Sequence, residues 1–472
     1  MTLKLFNTLT REKEEFKTLE EGKVKFYSCG QTIYDDLHIG NARAYIAWDT
    51  LRRYLEWKGY IVRHVQNITD VGHLTDEGDQ GEDKVEKRAK EMDLEPMELV
   101  ENQIERYFED TKALNIERQD IVPRATGHIN EMIKYIEGII EDGYAYEADG
   151  NIYFDVDAFA EDYDYGEIAN KDQEQLEEEA ESRVEPDPNK KNQYDFALWI
   201  KADDSHLMKW ESPWSTGYPG WHLECSVMSQ KYLGNRFDIH TGGKDHIFPH
   251  HPNERAQCLA ATGEPQANYW LHNEFINIEG EKMSKSEGNF YTVRELLDEG
   301  YSGNSLRLYI NSSHYRSETN FSKDGIEKAE KELKRIRKTF QRLKDYENTK
   351  KDDKYLKRLD SKFEEFMDDD LNTAKAKQFL MKKVKEVNRK MDSGEPLDAS
   401  LTEKFEELFK VLGVDIKPEA TDNEIELGEI LLELRENARN SKDYETADYI
   451  RDRLEEMGYS IEDSNQGSKI LY

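Results

Sequence analysis

The stretch "KVKFYSCGQTIYDDLHIGNARAYIAWDTLRRYLEWKGYIVRHVQNIT", residues 23–69, sets the fold class. Its opening, 23–30, alternates and carries aromatic and β-branched side chains, as a strand does. From Ile39 the residues Ala44, Trp48, Leu51 and Leu55 recur at helical spacing, and Gly59 ends the run. "YIVRHVQNIT" (60–69) reads as the next strand. Strand, helix and strand of these lengths predict a βαβ unit and hence a parallel sheet. Cys29 closes the first strand, and "HIGN", His38 to Asn41, opens the helix.

Outward from this unit the pattern changes. Residues 126–204 hold a helix and turn, a short strand and the polar acidic run "QEQLEEEAESRVEPDPNKKN", which predicts an insertion with a solvated loop. The α/β pattern resumes at "RFDIHTGG" (236–243). After about residue 320 the strands vanish and helical periodicity takes over. Within it, 328–344 carries eight basic residues against two acidic ones. A last unit is expected to bury a helical face of Ile430, Leu434 and Ala438 against a second helix with Ala447, Ile450 and Leu454, stopped by Gly458. No internal repeat is present. The expected segments are 1–125, 126–204, 205–290, 291–322, 323–415 and 416–472.

Composition narrows the class. Hydrophobics at 36% and aromatics at 11% of 472 residues suffice for sizeable cores. No apolar stretch approaches the ~18 residues that span a bilayer. The start, "MTLKLFNTLTREKEEFK", has no apolar signal core, so a cytoplasmic protein with no membrane partner is expected. Three cysteines make no disulfide scaffold and read as reduced thiols. The net charge of −34 runs through all regions and predicts adaptation to a high-salt cytoplasm. At molar salt the Debye length is only ~3 Å, so such a surface no longer repels a nucleic acid.

Three stretches carry chemistry. A histidine and a glycine at a strand-to-helix junction suit an anion site, since free N–H groups at a helix N-terminus attract phosphate; taken alone, the tetrapeptide equally fits a tight turn. "EKMSKS" (281–286) puts two lysines in a polar loop, suited to neutralising charge on a polyphosphate. In "FPHHPNERAQ" (248–257), His250 and Glu254 lie at i, i+4 on one helix face. With Cys29 and with Cys225 of "WHLECS" they make a set that suits tetrahedral zinc. By spacing alone Cys258, one turn past Glu254, is a rival ligand.

Together these motifs resemble the class I aminoacyl-tRNA synthetases, and within them the cysteinyl-tRNA synthetase family. The matching strings run in order along nearly the whole chain: "FNTLTREKEEF", "YSCGQTIYDDLHIGN", "NITDVGH", "GWHLECS", "HTGGKDHIFPHHPNERAQ", "EKMSKSEGNF", "HYRS", "MDDDLNT" and "DYIRDRLEEMGYSIED". The resemblance implies a Rossmann-type parallel sheet split by an insertion, then an α-helical bundle and a small C-terminal anticodon-binding unit. It implies activation of L-cysteine by ATP, with Mg2+, and transfer to tRNA(Cys), by a monomer.

Residue by residue, the resemblance makes Cys29, Cys225, His250 and Glu254 the ligands of one zinc ion that binds the substrate thiolate, and leaves Cys258 to the core. It places Gly30, Thr69, Trp221 and Asp245 in the amino-acid pocket, with Asp245 facing the ammonium. His38, Gly40, Gly242, Gly243 and Lys285 meet ATP, and His38, Asn41, Lys282 and Lys285 act in catalysis. Asn41 stands where the family's signature has a second histidine. A tRNA-independent ATP-dependent cysteine ligase of the mycothiol-pathway type shares the catalytic motifs but lacks the long C-terminal region. A non-catalytic paralogue that only binds RNA or zinc would not need them intact.

Overall fold

The computed structural model describes residues 2–71, 83–172, 175–176, 187–278, 280–283, 289–346, 350–417, 422–457, 459–464 and 467–471. The chain opens with a hairpin of β1 (Lys4–Asn7) and β2 (Glu12–Glu15). The expected βαβ unit comes next as β3 (Lys23–Ser28), α1 (Ile39–Trp57) and β4 (Ile61–Gln66). Then come α2 (Lys84–Met92), α3 (Pro96–Ala113) and α4 (Ile129–Glu141). The insertion comprises β5 (Ala145–Ala148), β6 (Asn151–Phe154), α5 (Val156–Ala160), β7 (Phe196–Lys201), β8 (Trp210–Glu211) and β9 (Thr216–Pro219). Its antiparallel sheet, in the order β5-β6-β7-β9-β8, runs to Pro219 rather than ending at 204. The cause is that β9 returns to pair with β7.

The second half of the α/β pattern is α6 (Trp221–Leu233), β10 (Phe237–Gly243), α7 (His250–Thr262) and β11 (Ala267–Asn273). The central sheet has the order β11-β10-β3-β4, with every pair parallel. The strand order reverses between β3 and β10: β4 follows β3 on one side, and β11 follows β10 on the other. In open α/β sheets the crevice outside the carboxyl ends of strands at such a switch point is where ligands bind. Cys29 directly follows β3, and Gly242 and Gly243 end β10 there.

Helix α1 departs from the amphipathic expectation. Arg43, Asp49, Arg52 and Arg53 are buried along with Ile46, Trp48 and Leu51. The cause is a helical bundle supplied by the second half of the chain. The elements β12 (Ile276–Ile278), β13 (Glu281–Lys282), α8 (Val293–Asp298), α9 (Gly303–Ile310) and β14 (Thr319–Phe321) lead into it. Its helices α10 (Lys323–Asp345), α11 (Asp353–Met367), α12 (Thr373–Asp392) and α13 (Leu401–Val411) pack onto the outer side of α1. Leu51 and Leu55 of α1 share one apolar cluster with Phe340, Phe363, Leu380 and Leu408. Arg307 of α9, fully buried, locks the junction: it donates to the carbonyls of Leu412 (2.7 Å) and Asn115 (3.0 Å) and pairs with Asp49. Lys328, Lys331, Lys334, Arg335 and Lys338 of the basic run face solvent.

The C-terminal unit joins α14 (Asp422–Asn440) and α15 (Tyr444–Glu456) to a hairpin of β15 (Ser460–Ser464) and β16 (Gly467–Leu471). The expected helical face is corrected here. Ala438, Ala447 and Leu454 are buried, but Ile430 and Leu434 are 49% and 52% exposed. Arg435 takes the inner position, because its guanidinium grips both oxygens of Asp463 at 2.8 and 2.9 Å. Gly458 lies outside the described residues. Among the described residues no helix is long and apolar enough to cross a membrane.

Candidate metal and nucleotide site

A cavity of about 530 Å3 opens at the carboxyl ends of β3 and β10. Its lining includes Gly30 and Cys29 after β3 and His38, Gly40 and Asn41 at the start of α1. Trp221, Gly242, Gly243 and Asp245 face it from the other half of the sheet. Gly30 and Gly242 are needed for close packing. A Cβ on Gly30 would sit 1.7 Å from the Asn67 carbonyl oxygen, and one on Gly242 would meet the rings of His246 and His251 below 3 Å. His38 caps α1, its Nδ1 accepting from the Asn41 amide at 3.2 Å.

Behind the cavity wall the four expected ligands come together. One donor atom from each of Cys29, Cys225, His250 and Glu254 lies within 4.8 Å of the others, and all four residues are buried. The two Sγ atoms stand 3.9 Å apart, Glu254 Oε1 is 3.7 Å from Cys29 Sγ, and His250 Nε2 is 3.0 Å from the same carboxylate oxygen. A tetrahedral ion with metal–sulfur bonds of about 2.3 Å sets its sulfurs about 3.8 Å apart. Donor set and spacing therefore fit zinc. Cys258 is kept away from the cluster by its place one turn on, where it accepts from Tyr135 Oη at 3.4 Å.

The side chains around the ligands orient them. His240 Nε2 donates to Glu254 Oε2 at 2.8 Å, and Gln266 Nε2 reaches the same oxygen at 3.4 Å. His222 Nδ1 meets His250 Nδ1 at 2.8 Å, which leaves Nε2 for the cluster. Trp221, at the first turn of α6, lays its ring 4.5 Å from that of His250. A second overlapping set, Cys29, His240, His251 and Glu254, offers one thiol in place of two. Its His251 is tied through Nδ1 to His272 at 2.8 Å. A soft metal favours the set with two sulfurs.

Charge is graded across this cluster. Burial drives the Cys29 thiol well above its ordinary range, helped by its hydrogen bond to Cys225. Burial also pushes Cys225 up, but hydrogen bonds from Cys29 and His250 hold it below the usual thiol value. Burial opposes charge on Glu254, yet His240 and His250 hold its carboxyl well below the usual range. His250 is raised to about 10, against burial, by Glu254 and Cys225. Burial instead lowers His246 to about 4 and takes His251 and His272 well below the normal imidazole value.

Thr69 does not line the cavity. It is buried behind it, its hydroxyl donating to Glu224 Oε2 at 2.6 Å. Lys282 has its backbone in β13, opposite Asn277, while its side chain and the whole of Lys285 lie outside the described residues. Met283 and Phe290, either side of that segment, both line the cavity.

The family described as "tRNA synthetases class I (C) catalytic domain" matches residues 15–331. The chain is 46% identical over 481 residues to Cysteine--tRNA ligase of Caldicellulosiruptor saccharolyticus, covering 99% of each. It is 43% identical to the Thermococcus gammatolerans protein of the same name, covering 99% of this chain and 98% of that one. The chain belongs to the cysteine–tRNA ligase family. Two further matches continue the family's layout: a DALR domain over 362–417, spanning the end of α11 through α13, and a cysteinyl-tRNA ligase anticodon binding domain over 429–469, from α14 into β16. The fold is also that of a Mycobacterium tuberculosis methionyl-tRNA synthetase in complex with methionyl-adenylate, with TM-score 0.59 and 14% identity over 83% of this chain and 88% of that one. Within this member of the cysteine–tRNA ligase family, sequence reasoning missed His240, His222 and Gln266. Histidine density in "HTGGKDHIFPHH" was the available signal, but nothing in spacing says which rings support and which ligate.

Proposed function

We propose that the protein activates L-cysteine with ATP to cysteinyl-adenylate and transfers the cysteinyl group to the 3′ end of tRNA(Cys). The observation that carries this reading is the convergence of two thiols, an imidazole and a carboxylate just behind the wall of a cavity that Cys29 lines and that also holds the "HIGN" helix start. Cys29, Cys225, His250 and Glu254 hold one zinc ion in this reading. Zinc bound there prefers a soft thiolate to a hydroxyl, which supplies selection against serine that an apolar pocket would limit to ~1–3 kcal/mol.

The chain's own residues do the rest. Asp245 takes the substrate ammonium, and Trp221 shapes the pocket around the side chain. Gly30, with Thr69 behind it, fixes the strand end so that the carboxylate can approach the ATP α-phosphate. His38, Asn41 and the N-terminus of α1 face the phosphates, Gly242 and Gly243 leave room for the nucleoside, and Lys282 and Lys285 neutralise the charge that builds during attack. Asn41, at N3 of α1, stands in for a second histidine and keeps a donor in the cavity. No protein nucleophile is needed, because positioning and charge stabilisation carry the rate.

The C-terminal helices, with the anticodon-domain match over 429–469, support a tRNA-dependent reaction over the tRNA-independent ligase. In this reading Mg2+ accompanies ATP, the protein acts as a monomer in the cytoplasm, and its charge of −34 adapts it to high salt. Cysteine-dependent ATP–pyrophosphate exchange together with charging of tRNA(Cys) is the deciding assay; exchange without charging would favour the tRNA-independent ligase. Circular dichroism from molar KCl down to about 0.1 M checks the salt reading, since lost screening should unfold the chain. An unchanged spectrum and melting temperature would remove it.

A further inference from the structure

Away from the cysteine cluster, a second group of ligand-type side chains converges among the described residues: Asp83, Glu86 and His206. Asp83 caps α2, its Oδ1 accepting from the amides of Val85 and Glu86 at 2.8 and 3.0 Å. Glu86 Oε1 accepts from the amides of Leu207 and Met208 at 2.6 and 3.2 Å, which pins the loop between β7 and β8 against α2. His206, in that loop, stacks on Tyr218 with ring centroids 4.4 Å apart and planes 14° from parallel. Capping, loop bonds and stacking thus each fix one of the three side chains.

What these contacts leave over points to a ligand. Asp83 Oδ2 and His206 Nε2 are both buried, and neither has a hydrogen-bond partner among the described residues. They face each other at 3.6 Å, and His206 Nδ1 lies 3.7 Å from Glu86 Oε1. Both separations are too long for a hydrogen bond. Two ligands on a tetrahedral ion with bonds of about 2.1 Å stand about 3.4 Å apart, which the Asp83 Oδ2–His206 Nε2 pair approaches, and one donor atom from each of the three residues lies within 4.8 Å of the others. Asp83 and Glu86 are 5% and 6% exposed, and the His206 side chain is 10% exposed. Among the described residues, His206 is the only basic group within ion-pair reach of either carboxylate.

We propose that Asp83, Glu86 and His206 bind a divalent transition-metal ion at a second site, independent of the cysteine cluster. The set has nitrogen and oxygen donors and no sulfur, which suits manganese(II) or zinc(II) with water completing the shell. The ion ties α2 to the β7–β8 loop. Lys84, beside the ligand Asp83, and Tyr218, under the His206 ring, both line the main cavity. Occupancy therefore stiffens one wall of that cavity.

The test uses the purified full-length protein in molar KCl, which screens the acidic surface. Elemental analysis after equilibration with ZnCl2, and titration with MnCl2 followed by the electron paramagnetic resonance of free manganese(II), count the sites. The wild type should hold about two metal equivalents. His206→Asn and Asp83→Asn should each hold about one, and a Cys29→Ser, Cys225→Ser double variant should still take up manganese(II). Circular dichroism checks that each variant folds. A wild type that never exceeds the one cysteine-dependent equivalent would overturn the site and leave a buried histidine–carboxylate ion pair. An unchanged count in both His206→Asn and Asp83→Asn would overturn it as well.

Discussion

The two ends of this molecule break the usual distribution of polarity in opposite directions. At the carboxyl ends of β3 and β10, thiols, carboxylates and a crowd of imidazoles are buried, each tied to a neighbour. In the C-terminal unit the reverse holds: Leu427, Ile430 and Leu434 of α14 face solvent, while Arg435 turns inward to Asp463. A buried polar group and an exposed apolar row both carry a cost in the isolated protein. The proposed function gives each cost a counterpart: an ion and a small substrate at one end, tRNA at the other.

The sharpest way to break this contrast is to remove the sulfur ligands. Cys29→Ser with Cys225→Ser should remove about one equivalent of zinc, the cysteine-dependent one, and depress cysteine-dependent pyrophosphate exchange by more than the ~10–100-fold usual for a supporting residue. Zinc by elemental analysis, read beside exchange, checks it; undiminished zinc would refute the assignment. One shell further out, His240→Ala should cost about 10–100-fold in zinc affinity or kcat/KM while the fold survives. His240→Gln, which can still donate to Glu254, should recover part of that loss.

At the other end the effects should separate by reaction step. Removing residues 422–472 should leave pyrophosphate exchange unchanged and lower kcat/KM for tRNA charging about tenfold, which corresponds to about 1.4 kcal/mol of lost contact. Equal charging by both proteins would show that this unit does not read tRNA. Ile430→Asp with Leu434→Asp should lower charging likewise while shifting stability by only about 0.5 kcal/mol per site, because both residues are already half exposed.

The smallest expected effect is a pH dependence. Hydrogen bonds from Arg435 and Ser468 hold the Asp463 carboxyl well below the usual range. A carboxyl lowered in the folded state adds stability above its unfolded value of about 3.9, and loses it as pH falls below that. Calorimetry from about pH 6 down to about pH 3 should show the C-terminal transition weakening. In Arg435→Met that part of the pH dependence should be absent.

What was legible in the sequence came from local rules. The βαβ unit could be read from 23–69 because strand alternation and helix spacing are local, and β3, α1 and β4 fall inside that stretch. The i, i+4 spacing of His250 and Glu254 places both on one helix face whatever the rest of the chain does. The sequence alone determined the family as well, since ordered motifs need no coordinates. Only the tertiary structure decided which groups face which. Periodicity marked Ile430 and Leu434 as core, but a helix shows its apolar stripe to whatever packs there, and Asp463 of the hairpin drew Arg435 inward instead. Helix α1 read as amphipathic, yet the bundle covers its second face. Spacing left Cys258 a rival ligand until the packing of α6 against β3 brought Cys225 to 3.9 Å from Cys29. Asp83 and His206 carried no local signal at all, because their meeting depends on where a loop more than a hundred residues later is folded back onto α2. Long-range packing sets such contacts, and no window of sequence contains both partners.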